Sequence, residues 1–327
     1  WNSTGITILG KAGVPGSASN QTAGPYGLAF DSLGALYIAD SGNHRIQKLI
    51  IGTSTGLTVA GQANAAMGND SYRLYIPVHM AFDSNDNMYV SDRRNSRVQF
   101  FIRGNLSGTT VAGITGNWLF FYKLTFKHKI FIGSSGSTNN TLFYLTAVAY
   151  DSQTNNLYIA DTNNNRVMQY QYGSSAGSVI AGRGGYGLGA SQLSTPFGLY
   201  FDTFSNSLII SNCNLPRIVW WKIGDYNGTV VAGSFTGVVG NDSTFLNVPF
   251  GVSLDPMGNI YVADMANHRI QFFLSGQFVG RTIAGITGVN GTNASVLYQP
   301  RWVTLDKQLN LYVCDTDNHR VQMFRRY

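Results

Sequence analysis

The chain is made of one unit written six times. The copies are PYGLAFDSLGALYIADSGNHRIQKL (25–49), PVHMAFDSNDNMYVSDRRNSRVQFF (77–101) and LTAVAYDSQTNNLYIADTNNNRVMQY (145–170). They continue with PFGLYFDTFSNSLIISNCNLPRIVWW (196–221), PFGVSLDPMGNIYVADMANHRIQFF (249–273) and PRWVTLDKQLNLYVCDTDNHRVQMF (300–324). The first aspartates, Asp31, Asp83, Asp151, Asp202, Asp255 and Asp306, are 52, 68, 51, 53 and 51 residues apart. The arginines that close each hairpin, Arg45, Arg97, Arg166, Arg217, Arg269 and Arg320, keep the same rhythm. A unit this small cannot bury its apolar faces alone and must stack on its neighbours. The repeat therefore overrides the two or three separate domains that 327 residues would otherwise suggest.

Each unit contains three short runs rich in β-branched and aromatic residues, bounded by Gly, Asn, Asp and Ser, and each run reads as a strand. A fourth run follows in five of them: LTVAG (57–61), TTVAG (109–113), SVIAG (178–182), TVVAG (229–233) and RTIAG (281–285). Four antiparallel strands per repeat make a propeller blade. The expected fold is therefore all-β: a six-bladed β-propeller of four-stranded antiparallel blades. The sixth unit ends after its third strand, while ITILG (6–10) has the fourth-strand pattern and no blade of its own. That N-terminal strand is expected to pair with the last blade and close the ring, which protects the sheet edges. The chain reads as a single domain over 1–327. Its repeats lie near 25–61, 77–113, 145–182, 196–233, 249–285 and 300–327 plus 6–10, with an insertion at about 117–140.

Composition agrees with a protein of strands and turns. Charged residues make up 12%, about half the usual ~25%, and every acid is Asp. Asp favours turns where Glu favours helices. A net charge of +6 without a run of like charges lacks the basic arm typical of nucleic-acid binders. No stretch reaches the ~18 apolar residues needed to span a bilayer. The sequence starts at Trp1 with no signal peptide ahead of it, as expected of a processed or trimmed product.

The segments DSGNHRIQ (40–47), DMANHRIQ (264–271) and DTDNHRVQ (315–322) resemble the NHL repeat, and Asp92–Arg97 and Asp161–Arg166 carry weaker versions. The fourth unit departs most, with Asn212 for the Asp and Leu215-Pro216 for the Asn-His pair. The resemblance implies a six-bladed propeller but fixes no activity. NHL propellers include the peptide α-amidating lyase, which holds zinc with three central histidines; here only His79 starts a first strand. They also include messenger-RNA repressors with a strongly basic face, whereas six of the 22 basic residues here are the hairpin arginines. Calcium-dependent lactonase propellers use a central Glu, a residue this chain lacks.

The pairs Asp40–Arg45, Asp92–Arg97, Asp161–Arg166, Asp264–Arg269 and Asp315–Arg320 are expected to meet across their turns as structural clamps, since Arg holds carboxylates by parallel hydrogen bonds. A catalytic pair would need to be special, and these recur. His44, His268 and His319 share one motif position and read as turn residues. Cys213 and Cys314 lie in non-adjacent units and read as buried thiols. The residues after each unit start, among them Tyr26, Phe197, Phe250, Arg301 and Trp302, with His79 and the turn residues Arg93 and Arg94, are candidates for a ligand ring at the channel mouth. They either stack a ligand or pack blade against blade. In the insertion, Trp118, Phe120, Phe121, Tyr122, Lys123 and Lys127 form an aromatic-basic cluster. It reads either as a hairpin folded back on its own blade or as an arm that contacts a partner or another copy.

Nine N-x-S/T sequons, at Asn2, Asn20, Asn69, Asn105, Asn139, Asn227, Asn241, Asn290 and Asn293, all fall outside the strand runs. That placement suits glycosylation on a surface loop. These readings together describe a secreted or surface-displayed binding or scaffold module for a protein or glycan, with no enzyme activity and no metal or cofactor expected. An RNA-binding domain and an amidating-lyase-like metalloenzyme are the alternatives.

Overall fold

A computed structural model describes residues 1–114, 119–120, 131–132 and 136–327. Six four-stranded antiparallel sheets succeed one another along the chain, and each has its first strand innermost. Blade 1 consists of Pro25–Phe30, Leu36–Asp40, Arg45–Leu49 and Leu57–Gly61. Blade 2 runs from Pro77–Phe82 to Thr109–Ala112, blade 3 from Val148–Asp151 to Ser178–Ala181, blade 4 from Pro196–Asp202 to Thr229–Gly233 and blade 5 from Pro249–Leu254 to Arg281–Gly285. Five first strands open on proline, which lacks a ladder donor and is tolerated at a strand's first residue.

Blade 6 contributes Pro300–Leu305, Leu311–Asp315 and Arg320–Phe324, and its outer strand is β1 (Ile6–Gly10). The order in this sheet is β1 outside Arg320–Phe324, with Ile6 opposite Met323 and Gly10 opposite Arg320. The N-terminus thus closes the ring. Trp1 extends the seal: its indole N–H donates to the Leu309 carbonyl at 2.8 Å, and its ring packs edge-on against Tyr261 of blade 5. The core is a series of packed interfaces between neighbouring blades, such as the cluster of Tyr261, Phe272, Val303, Leu311 and Phe324 between blades 5 and 6.

In the insertion, Leu119–Phe120 pairs antiparallel with Phe131–Ile132. Trp118, Phe121, Tyr122, Lys123 and Lys127 lie outside the described residues, as does the side chain of Phe120.

Candidate functional site

Each regular blade is held by the same buried constellation at its hairpin turn. In blade 1 the Asp40 carboxylate accepts the Ala23 N–H through Oδ1, and the Asn43 amide and Arg45 Nε–H through Oδ2, all at 2.8 Å. Burial pushes this carboxyl upward, and those three donors pull it back. The Arg45 Nη groups donate onward to the carbonyls of Ala63, Ala18 and Gln21. The arrangement recurs with Nε to carboxylate distances of 2.7–2.8 Å at Asp92–Arg97, Asp161–Arg166, Asp264–Arg269 and Asp315–Arg320. All five aspartates are fully buried. These groups join the turn to the loop that enters the blade.

In blade 4 Asn212 replaces the acid. Its Oδ1 accepts the Ser194 N–H at 2.8 Å, but its Nδ2 and the Arg217 Nε are buried without partners. Two donors stand where a carboxylate oxygen sits elsewhere. The Arg217 Nη groups still reach the carbonyls of Leu188 and Gln192 at 2.6 and 3.1 Å.

The turn histidines link neighbouring blades. Nδ1 of His44, His268 and His319 accepts the backbone N–H of Ile76, Gln299 and Gly24 respectively, at 3.0–3.2 Å. Asn165 makes the same bond to Thr195 through its amide oxygen at 2.9 Å. These four residues share the left-handed conformation at the end of the turn (φ 53–58°).

The axis of the ring is filled in layers. The third residues of the six units are Gly27, His79, Ala147, Gly198, Gly251 and Trp302, the last packed against Gly251. The small residues leave room for two large ones. His79 and Trp302 stack across the axis with ring centroids 4.0 Å apart. A Cβ on Gly27 would lie 2.2 Å from the Val78 carbonyl oxygen, and one on Gly251 2.7 Å from the Trp302 ring. His79 Nδ1 contacts the Val148 carbonyl at 3.0 Å, and burial drives its pKa down to about 3, so the ring is neutral. His79 is thus occupied by packing. Among the described residues no group of three His, Cys, Asp or Glu is placed to hold a metal.

On the side carrying the hairpin turns, the layer above is aromatic. Val78, Phe197, Cys213 and Phe250 are buried together, with Tyr26, Val248 and Met265 packed on them. Phe197 and Phe250 are in contact, 3.8 Å between centroids, and Tyr26 reaches Phe197 from across the ring at 6.4 Å. Three arginines surround this floor. The Arg301 guanidinium lies 4.3 Å from the Tyr26 ring and 5.5 Å from Phe250. Arg93 lies 4.3 Å from Tyr144 and 5.7 Å from Phe197, and Arg94 lies 5.1 Å from Tyr144. The Nε atoms of Arg93 and Arg301 are buried without partners. Burial lowers the Arg93 pKa to about 10, which still leaves it charged at neutral pH.

The structure therefore brings together Tyr26, Arg93, Arg94, Phe197, Phe250 and Arg301, and sets His79 and Trp302 one layer below. Sequence reasoning missed Tyr144, on which both turn arginines of blade 2 stack, and Asp317, whose carboxylate is 3.8 Å from Arg301. Tyr144 immediately precedes the third unit, so a search one residue upstream of each unit would have found it.

Concavities lie away from this mouth. On the opposite side of the His79–Trp302 layer, the axis opens as a cavity of about 250 Å³ lined by all six first strands, including Phe30, Phe82, Tyr150, Phe201 and Thr304. A cleft of about 420 Å³ runs between blades 2 and 3 and is lined by Tyr89, Phe100, Tyr150, Tyr170 and Tyr172. Eight of the nine sequon asparagines are exposed, and Asn69 is half-buried. Asn69, Asn241 and Asn293 also give their carbonyls to the clamp arginines, so the entry loop uses these residues structurally as well. Both cysteines are free and buried.

The fold and its repeated turns define a six-bladed β-propeller. The NHL repeat model matches residues 22–49, 246–273 and 297–324, in blades 1, 5 and 6 with their entry loops. The chain is a six-bladed β-propeller that carries NHL repeats at these three positions. No curated protein matches it. Among solved structures it is similar to an auxiliary nutrient binding protein from Bacteroides thetaiotaomicron, at 14% identity and a TM-score of 0.68, over 98% of this chain and 75% of that one. It is also similar to a gluconolactonase from Xanthomonas campestris, at 13% identity and a TM-score of 0.62, over 94% and 87% of the two chains. A chain of a nidogen/laminin complex matches at 17% identity and a TM-score of 0.54, over 77% and 76%. At these identities the likeness is one of fold.

Proposed function

We propose that this propeller is a non-enzymatic binding module, secreted or displayed at a cell surface, that recognises a protein or glycan through the channel mouth on its hairpin-turn side. The observation that carries this reading is the trio of arginines around an aromatic floor at that mouth. Aromatic side chains with a few convergent polar groups are the usual lining of a ligand site. The binding reading is further supported by His79, whose ring is neutral and packed against Trp302. The nutrient-binding and laminin-complex relatives of the fold are compatible with a recognition role. Eight exposed sequons favour an extracellular setting.

The reading is tested in two arms. Protein produced through a secretory pathway is expected to lose mass at several sequon peptides on glycosidase treatment; unmodified asparagines throughout would remove the extracellular assignment. A glycan and extracellular-protein array is expected to give hits that vanish in a Tyr26→Ala, Arg301→Gln double variant. Hits unchanged by that variant would move the ligand face elsewhere.

A further inference from the structure

The repeat provides an internal control for what the mouth needs in order to fold. The residue after the clamp position is Ser41, Thr162, Cys213 and Thr316 in four blades. Ser41 donates to the Pro77 carbonyl, Cys213 to that of Pro249 at 2.9 Å and Thr316 to that of Pro25 at 2.7 Å. Thr162 pairs with Thr146, whose hydroxyl reaches the Phe197 carbonyl. Each joins its blade to the next. Blade 5 has Met265 at this position, and blade 2 places Arg93 there. The residue after the unit start is uncharged in five blades (Tyr26, Val78, Thr146, Phe197, Phe250), and blade 6 has Arg301 there. The blade plan requires neither arginine, and both arginines fall on the same mouth.

A cation held among aromatic rings without a counter-ion is costly, and cation–π contact offsets only part of that cost. Among the described residues Arg93 has no ion pair, and Arg301 has only the 3.8 Å contact with Asp317. Positive charge is therefore concentrated where water is scarce, flanking the Phe197–Phe250 pair. An anion entering here would neutralise it, and a guanidinium fork matches the two oxygens of a carboxylate.

We infer that the mouth is a carboxylate subsite, in which Arg93 and Arg301 take the acid group of a sugar acid. The inference deepens, and rests on, the reading of the mouth as the ligand face. A peptide main chain is poorly served here, because the carbonyls of Pro25, Pro77, Phe197 and Pro249 already accept from side chains and the prolines lack an N–H. Bases of a single-stranded nucleic acid cannot stack on Phe197, Phe250 or Trp302, which are at most 9% exposed. A sugar acid needs neither. Its carboxylate meets the arginines, and its hydroxyls and ring lie against the half-buried Tyr26 and Tyr144.

Isothermal titration of the full chain with sodium glucuronate, glucose, acetylglycine and inorganic phosphate tests this. Glucuronate is expected to bind, with glucose at least about 10-fold weaker, and Arg93→Gln and Arg301→Gln each to weaken glucuronate about 10- to 100-fold. Arg301→Lys, which keeps the charge and loses the fork, should fall between wild type and Arg301→Gln. Thermal unfolding of each variant checks that the fold is retained. Glucose binding as tightly as glucuronate, or glucuronate binding unaffected in all the variants, would overturn the inference. Acetylglycine binding more tightly would assign the site to a peptide carboxylate, and phosphate binding more tightly to a phosphoryl group; either removes the sugar acid. Failure with every small probe overturns the inference alone, because the binding-module reading is decided separately by the array and the glycan map.

Discussion

Blades 4 and 5 are neighbours built to one plan, and they differ at its central buried charge. In blade 5 Asp264 gathers the Asn247 N–H, the Asn267 amide and the Arg269 Nε within 2.7–2.8 Å. In blade 4 Asn212 offers one oxygen where two acceptors are needed, and Leu215 stands where the regular turn has its asparagine. The loss of that asparagine removes one of the donors the acid would have served. Arg217 then depends on backbone carbonyls alone, and burial lowers its pKa. The comparison teaches that the clamp is two devices. One is an arginine that ties the entry loop by its carbonyls, and this survives in all six blades. The other is a carboxylate that neutralises the arginine, and this is dispensable when the rest of the turn is altered with it.

The largest effect should come from forcing the amide of blade 4 onto blade 5. Asp264→Asn leaves a buried arginine without its charge partner and at least one donor unsatisfied, so it should cost about 3–5 kcal/mol in urea unfolding. A cost below about 1 kcal/mol would mean that the carbonyls suffice in every blade. The reverse change, Asn212→Asp, places an acceptor at the orphaned Arg217 Nε. It should stabilise by about 1 kcal/mol, and destabilisation would show that blade 4 has adapted to neutrality.

The smallest effect concerns the bond between blades. Burial lowers the pKa of His268, so the unfolded chain binds more protons than the folded one as pH falls below the ordinary histidine range of about 6.5. Stability gained from this histidine is complete above that range and declines below it. His268→Asn should keep the bond to Gln299, as Asn165 does for Thr195, and flatten the loss between pH 7.5 and 5. The difference should be under about 0.5 kcal/mol because the ring is partly solvated. Unchanged pH dependence would place the titration elsewhere, with His79 the next residue to test.

The turns were legible in the sequence because every blade rebuilds its own hairpin from residues close together in the chain. Asp40, Asn43 and Arg45 lie within six positions, and their contact follows from strand pairing alone. The closing strand was legible from the count of strands, since the sixth unit lacked one and residues 6–10 had one to spare. The mouth was only half legible. Tyr26, Phe197, Phe250 and Arg301 could be named from their repeat position, but not their packing. Which rings go under and which arginines go over depends on shapes contributed by several blades at once, as with Arg93 of blade 2 resting on Tyr144 ahead of blade 3. The stacking of His79 on Trp302 was illegible for the same reason, although three glycines at that level were a trace of it.

That stacked pair has a consequence for traffic through the molecule. His79 and Trp302 act as a bulkhead between the arginine-ringed mouth and the 250 Å³ cavity beneath it. The axis is plugged at this level and is not a conduit. A guest in that cavity must leave by the door it entered, whatever binds on the opposite face.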